Sequence, residues 1–367
     1  NLINYAIVAA FYIVVTVMIQ TGNATRHMKS MLVPICVAVI LAVSLNLVIG
    51  FLGELSLGHA AFMSVGAYTG GLLSKFMANQ FPQLPVAVRF PLSLLAGGLL
   101  GAIFGALVCL VVLRLKGDYL AIVTLAFGEI LRSIVINLEF TGGAAGLKGV
   151  PQDASFTYGI ILVFITLFVI QNLVKSKHGR AIQALRDNTI AATSVGVNAT
   201  RYKLIVFSLS AFFAGVAGVL LASSNYTVQS QKFNYNYSIE ILVMVVLGGM
   251  GNITGSIISA TLITILNTEL QTVLSGDLAV LKDIIYSLIL ILIVIYNNAP
   301  KLKAFRERFN LKAIIHRLVR RKKKAGDISD DAARWDVITT KIDMDEVLST
   351  DIVVNESVIK PDKEEKP

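Results

Sequence analysis

Charge is scarce in this sequence. Of its 367 residues 15% are Asp, Glu, Lys or Arg and 55% are hydrophobic, with a mean hydropathy of +0.72. So apolar a balance excludes an ordinary soluble domain and demands several crossings of a bilayer. Cysteine is scarcer still. Cys36 and Cys109 sit inside apolar runs, which excludes a disulfide framework or a cysteine metal site and leaves two small hydrophobes. No nucleophile is set beside a base, so nothing points to an enzyme. A nucleotide site is missing as well. The run GGAAGLKG (142–149) is not a P-loop, because Lys148 does not directly follow the second glycine and no Ser or Thr comes after it. No apolar run carries the dense Asp/Glu/His relay of a proton-coupled carrier.

The charge that is present lies unevenly. Residues 1–300 carry sixteen Lys and Arg against ten Asp and Glu, residues 301–324 eleven against one, and residues 325–367 five against twelve. The basic excess follows the last apolar run directly, where it suits an anionic inner leaflet. No folded soluble domain carries that patch, which makes nucleic acid a poor partner. Within 301–324, Phe305, Phe309, Leu311, Ile315, Leu318 and Val319 are interspersed with basic residues, as in an amphipathic helix along the membrane. Residues 325–367 have no long apolar face, end in PDKEEKP, and read as a disordered or weakly helical cytoplasmic tail.

Ten apolar runs follow one another: about 2–19, 31–50, 60–78, 92–113, 119–138, 156–174, 204–222, 238–250, 253–270 and 283–299. Most approach the roughly 20 residues that a crossing needs. The expected fold class is an all-α, polytopic membrane helix bundle of about ten passes over residues 1–300. Leu2–Ile19 lacks an A-x-A cleavage site and reads as a retained span, in a chain that starts at Asn1 and is expected to have lost a few residues. Ten passes put both termini on one side, and Lys301–Lys324 places that side in the cytoplasm. Arg114, Lys116, Lys175, Lys177, Arg180, Arg186, Arg201 and Lys203 then agree with the rule. Arg26 and Lys29 do not: either their loop is an exception or the first run does not cross. The outside loops are 79–91, stiffened by Pro82, Pro85 and Pro91, 139–155, the tyrosine-rich 223–237, and 271–282. Facing a substrate-delivering protein and simple solvated connection are both open to them.

Glycine interrupts two of the runs. Gly50-Phe51-Leu52-Gly53-Glu54-Leu55-Ser56-Leu57-Gly58-His59 leads into AAFMSVGAYTGG, and Leu247-Gly248-Gly249-Met250-Gly251-Asn252 leads into ITGSIISA. Broken helices at membrane depth survive where they line a cavity or are buried in protein, and transporters place substrate sites at such breaks. Gly53, Glu54, Ser56, Gly58, His59, Gly248, Gly249, Gly251 and Asn252 are therefore the candidate pathway residues. The competing reading is a tight turn plus close helix packing through small faces such as Gly66/Gly70. Ionisable groups inside the runs each need a reason, since one at the bilayer centre costs at least roughly 2.5–3.5 kcal/mol on insertion scales. Glu129 and Arg132, three apart, can pair with each other. Glu54 and His59 flank the first break, and His59 is equally readable as a hydrogen-bonded packing residue. Glu240 and Glu269 suit the outer interface.

One polar, basic stretch lies between two long apolar ones: HGRAIQALRDNTIAATSVGVNATRYK, residues 178–203. Its small and apolar residues recur at helical spacing (Ala181, Ala184, Leu185, then Ala191, Ala192, Val195), which predicts two short amphipathic helices stopped by Gly196 and Asn198. A peg seated in a groove of another protein and a loop lying on lipid headgroups both fit. The order Ala191-Ala192, three residues, Gly196 looks like the EAA loop with which ABC importer permeases dock onto their ATP-hydrolysing subunit, with Ile190 where that pattern carries an acid. The longer run GRAIQALRDNTIAATSVGVNATRYKLIVF resembles the permease family that imports branched-chain amino acids, and within it the M-type subunit. GELSLGHAAFMSVGAYTG, VVLGGMGNITGS and RLKGDYLAIVTLAFGEILR extend the resemblance over most of residues 30–300.

The resemblance implies a bacterial inner-membrane permease, similar in fold to ABC importer permeases, with both termini cytoplasmic. It implies a paired homologous permease of the H-type, two ATP-binding subunits and an extracytoplasmic substrate-binding protein, with ATP and Mg bound on the partner ATPase subunits and no cofactor in this chain. Gly179, Arg180, Ala181, Ala184, Leu185, Arg186, Asp187, Ala191, Ala192 and Gly196 would form the ATPase-coupling surface. Related permeases for urea, short amides or nucleosides share these blocks. A self-sufficient secondary carrier or channel and a membrane scaffold held by its basic tail are the readings from other classes.

Overall fold

The computed structural model describes residues 2–21, 25–112, 115, 117–273, 287, 288 and 291. Apart from those last three residues, the expected pass at 283–299 lies outside the described residues, as do Arg114, Lys116, the basic segment 301–324 and the tail 325–367. Eleven α-helices occur among the described residues: α1 (Leu2–Gln20), α2 (Arg26–Asn46), α3 (His59–Gln80), α4 (Val86–Val112), α5 (Asp118–Asn137), α6 (Phe156–Lys175), α7 (Lys177–Asp187), α8 (Thr189–Ser194), α9 (Ala199–Ser224), α10 (Tyr235–Gly248) and α11 (Ile253–Val273). The chain is an all-α polytopic membrane bundle. Six helices are long and apolar enough to cross a membrane by length and composition: Arg26–Leu52, Val86–Val112, Tyr119–Asn137, Phe156–Lys175, Ala199–Ser224 and Ile253–Thr272. Of the other expected passes, α1 and α10 are shorter apolar helices, and α3 spends its length on Gly, Ala, Ser and Tyr.

α2 is the axis. Every residue from Ile35 to Leu52 is buried, as befits a helix apolar on all sides, and α6, α9, α10 and α11 surround it. Beside it α3, α4 and α9 pack closely. Lipid tails are as apolar as leucine, so no hydrophobic gain drives helices together in a membrane. Close approach of small residues does. A Cβ on Gly97 would lie 2.9 Å from the Gly66 carbonyl oxygen, and one on Gly101 2.7 Å from that of Ala211. The outward faces are greasy instead: Leu95, Leu99, Ile103, Leu107 and Val111 run down α4, and Ile161, Ile165 and Phe168 down α6, all exposed.

The end of the bundle away from α7 is tied by polar clamps. Asp153 is held by Arg89 (Nε to Oδ2, 2.8 Å) and by the Ser74 hydroxyl (3.3 Å), while Lys75 donates to the Lys148 carbonyl (2.9 Å). A two-residue strand, β1 (Leu147–Lys148), pairs antiparallel with β2 (Thr227–Val228), so the loops 139–155 and 223–237 are zipped together. Pro91 corrects another expectation. It does not stiffen a loop: α4 already starts at Val86, the amides of Val88 and Arg89 donate to the Pro85 carbonyl, and Pro91 sits inside the helix.

Candidate functional site

Both glycine breaks meet at one point. After Asn46 the axis helix loosens into a π-helical turn, Leu47–Leu52, and leaves through Gly53 at φ +80°, a left-handed conformation that suits glycine. The freed amides that follow are met by neighbouring helices. Thr124 on α5 accepts from the Leu57 amide (3.0 Å), and Ser238 on α10 from that of Ala60 (3.2 Å), as helix ends at membrane depth require. The second break turns through Gly249 (φ +89°) and Gly251 (φ +80°), and Asn252 caps α11 by accepting from the Gly255 amide (3.3 Å). Gly50 is the contact point: any Cβ there would run into Asn46 and the Gly251 backbone. Asn46 joins the two breaks. Its Oδ1 accepts from the Gly251 amide at 2.8 Å and its Nδ2 donates to Ser256 Oγ at 2.9 Å.

The loop 178–203 touches this point twice. Arg186, at the end of α7, donates from Nη1 to the Gly50 carbonyl at 3.0 Å and is steadied by Asp187 (Nη2 to Oδ1, 2.9 Å). Its stem covers Gly53, where a Cβ would fall 2.5 Å from Arg186 Cγ. Lys203, at the start of α9, forms an ion pair with Glu54, both side chains largely buried. The loop's own build follows its sequence. Ser176 caps α7 by accepting from the Gly179 amide, and Asn188 caps α8 by accepting from that of Ala191. Gly196 (φ +90°) closes α8, with its amide donating to the Thr193 carbonyl and the Val197 amide to that of Ala192, the Schellman pattern. Asn198 does not stop this helix. Its side chain accepts from the Arg201 amide and so starts α9.

The candidate coupling residues divide into two groups. Gly179, Leu185 and Ala192 are buried with Ile182, and Ala181 is half-buried. Arg180, Ala184, Arg186, Asp187, Ala191 and Gly196 are exposed. The expected apolar face is therefore split: Ala184, Ala191 and Val195 point away from the bundle. Ile190 and Val195 are 79% and 80% exposed, two apolar side chains standing out on a polar loop.

Of the candidate pathway residues, Gly53 and Glu54 lie under the loop. His59 is buried, with Nε2 2.8 Å from Ser44 Oγ, and the Ser44 carbonyl accepts from Ser210 (2.6 Å). The Ser56 hydroxyl is buried with no hydrogen-bond partner among the described residues. Gly58 abuts the Thr124 carbonyl. Gly248, Gly249, Gly251 and Asn252 make the α10–α11 turn. Glu129 pairs with Arg132 (2.8 Å), as their spacing implies, and its other oxygen accepts from the Tyr235 amide (3.1 Å). Sequence reasoning passed over Asn46 and Ser256. A lone amide in a long apolar run was the available signal.

Comparison with known proteins gives the following. The family described as "Branched-chain amino acid transport system / permease component" matches residues 28–294. The high-affinity branched-chain amino acid transport system permease protein LivM of Salmonella typhimurium is 37% identical over 263 residues, covering 62% of this chain and 60% of that protein. A probable LivM of Methanocaldococcus jannaschii is 24% identical over 254 residues (59% and 73%). The ribose import permease protein RbsC of Haemophilus influenzae is 30% identical over 253 residues (63% and 73%). The chain thus spans about 60% of the length of the Salmonella relative. No solved structure matches.

Proposed function

The chain belongs to the permease-component family of branched-chain amino acid transport systems, and from that premise we propose that it is one membrane subunit of an ATP-driven importer of leucine, isoleucine and valine. In this reading it sits in a bacterial cytoplasmic membrane with both termini inside. It works with a homologous permease, two ATP-binding subunits that carry ATP and Mg, and an extracytoplasmic substrate-binding protein. The chemistry is conformational: no bond in the solute changes.

One observation carries the reading, the Arg186 guanidinium on the Gly50 carbonyl. It connects a loop whose apolar knobs, Ile190 and Val195, face outward to the point where both broken helices touch. Closure of the ATPase pair displaces α7 and α8. Arg186 draws on the π-turn, Lys203 draws on Glu54, and the contact of Gly50 with Gly251 opens. Two packed arrangements of one helix break are the kind of bistable element that such motion needs.

The test uses the assembled transporter. Arg186→Ala is expected to leave the ATPase subunits bound and hydrolysing ATP while leucine uptake falls at least about tenfold, the worth of one charge-assisted hydrogen bond. Unchanged uptake in that variant rejects the coupling route. The match to a ribose import permease favours a second reading, the same machine for a different solute, with urea, short amides and nucleosides also open. Uptake competition decides, and leucine failing to compete rejects the branched-chain assignment.

A further inference from the structure

α1 is tied to its neighbours at few places. Its Asn4 side chain accepts from the Thr254 hydroxyl at the start of α11, and Tyr5 and Phe11 pack ring to ring with Phe164 and Phe156 of α6. Between α1 and α11 a slot of about 280 Å³ remains, floored by Ile35, Cys36 and Val39 of α2. Along α11 it runs from Ile257 to Ile265, about 12 Å at 1.5 Å rise per residue. The lining is apolar but for Thr261, whose hydroxyl already donates to the Ile257 carbonyl (2.8 Å). Water finds no partner in such a cavity, and an empty one forfeits dispersion contacts. A helix, about 10–12 Å wide with its side chains, is too broad to enter. At the rim Ile258 and Leu262 are 54% and 51% exposed, so the slot opens sideways into the hydrocarbon of the bilayer. An acyl chain is narrow, flexible and already there.

A second observation lies at the start of α2, at the end of the bundle away from α7. Lys29 precedes Cys36 by two helical turns, so it stands on the same face of α2, about 10 Å beyond the slot. Arg26 is one turn further out. Both are exposed, and neither has an ion-pair partner among the described residues, whereas Glu269 is faced by His27 (Nε2 to Oε1, 3.6 Å). These are the two basic residues that run against the charge bias of the other loops. Two unpaired cations beyond an apolar slot match a phosphate above an acyl chain, and basic groups between membrane helices hold anionic headgroups in this way.

We propose that an anionic phospholipid of the bilayer binds here, with its phosphate at Lys29 and Arg26 and one acyl chain in the slot between α1 and α11. Ile257 directly follows Ser256, which Asn46 holds, so the chain braces the helix that carries the second glycine break. The site does not depend on which solute the bundle moves.

The test places the full chain, with the subunits that co-purify with it, in phosphatidylethanolamine liposomes. These contain a trace of phosphatidylglycerol that bears a diazirine midway along one acyl chain. After illumination the labelled peptides are mapped by mass spectrometry. Labelling is expected to concentrate on the slot, at Cys36 and along Ile257–Ile265, above that on the outward faces of α4 and α6. Lys29→Gln is expected to lower the slot labelling about fivefold and to leave unchanged the weaker labelling by phosphatidylcholine with the same diazirine. Ile258→Trp, which fills the slot from its exposed rim, is expected to abolish labelling there by both lipids. A slot labelled no more than the outward faces of α4 and α6 is ordinary bilayer contact and overturns the proposal. So does equal labelling of the slot by the two lipids in the wild type, and so does an unlabelled slot, the sign that another subunit covers it.

Discussion

At the scale of single residues, buried polar groups set the shape. Asn46 lies in an otherwise apolar stretch and is fully buried, so its amide has to be satisfied inside the protein. Gly251 and Ser256 do that, and the cost of losing them is what holds the two breaks together. Asn46→Leu is expected to strand the Gly251 amide, while the Ser256 hydroxyl keeps its bond to the Asn252 carbonyl, and to destabilise the protein by about 1–3 kcal/mol, read as a lower midpoint of thermal denaturation in detergent. Arg89 and Asp153 make a similar case at the opposite end, 12% and 6% exposed. Removing one partner leaves the other charge buried. Arg89→Met is expected to cost about 3 kcal/mol or more, and an unshifted denaturation midpoint would contradict it. Neither role can be read from the chain order, because the partners stand 205 and 64 residues away.

At the scale of elements, two kinds of helix face share this fold. Where α3, α4 and α9 meet, glycine brings backbones into contact. On the lipid side of α4, leucine and isoleucine have no partner to fit. Gly101→Val is therefore expected to push α9 away and destabilise by about 1–3 kcal/mol, whereas Leu107→Ala, at 49% exposure, changes stability little; the two denaturation midpoints side by side test this. On the loop, Ala192 is buried and Ile190 stands outward, so the proposed docking can be tested apart from folding. Ile190→Glu is expected to abolish co-purification with the ATPase subunits while the permease itself stays folded. A complex that survives this substitution removes α8 from the interface. The spacing of apolar residues predicted both short helices. It could not say which of them turn outward, because Asn188 breaks the helix between Leu185 and Ala191 and resets the face.

At the scale of the whole molecule, α2 is one continuous element from a cavity beside α10 and α11 to the contact under Arg186. Its first half lines the cavity with Val37 and Ala38, and its last turn carries Gly50 under Arg186. Motion at the loop thus has a continuous helical path along α2. If the motor is external, the chain alone in liposomes is expected to show no leucine flux under any ion gradient. Flux without an ATPase partner would favour the secondary carrier.

The sequence by itself determined the bilayer as solvent, the all-α architecture, the positions of both helix breaks and the capped pair of loop helices. These are local matters, fixed by hydropathy, glycine and capping residues within a few positions of one another. Tertiary structure alone decided that the two breaks touch, that Arg186 and Lys203 reach them, and that Glu240 faces a cavity with Asn267. Those pairings join residues up to about two hundred positions apart, and only packing chooses among the partners that the chain could offer each buried polar group.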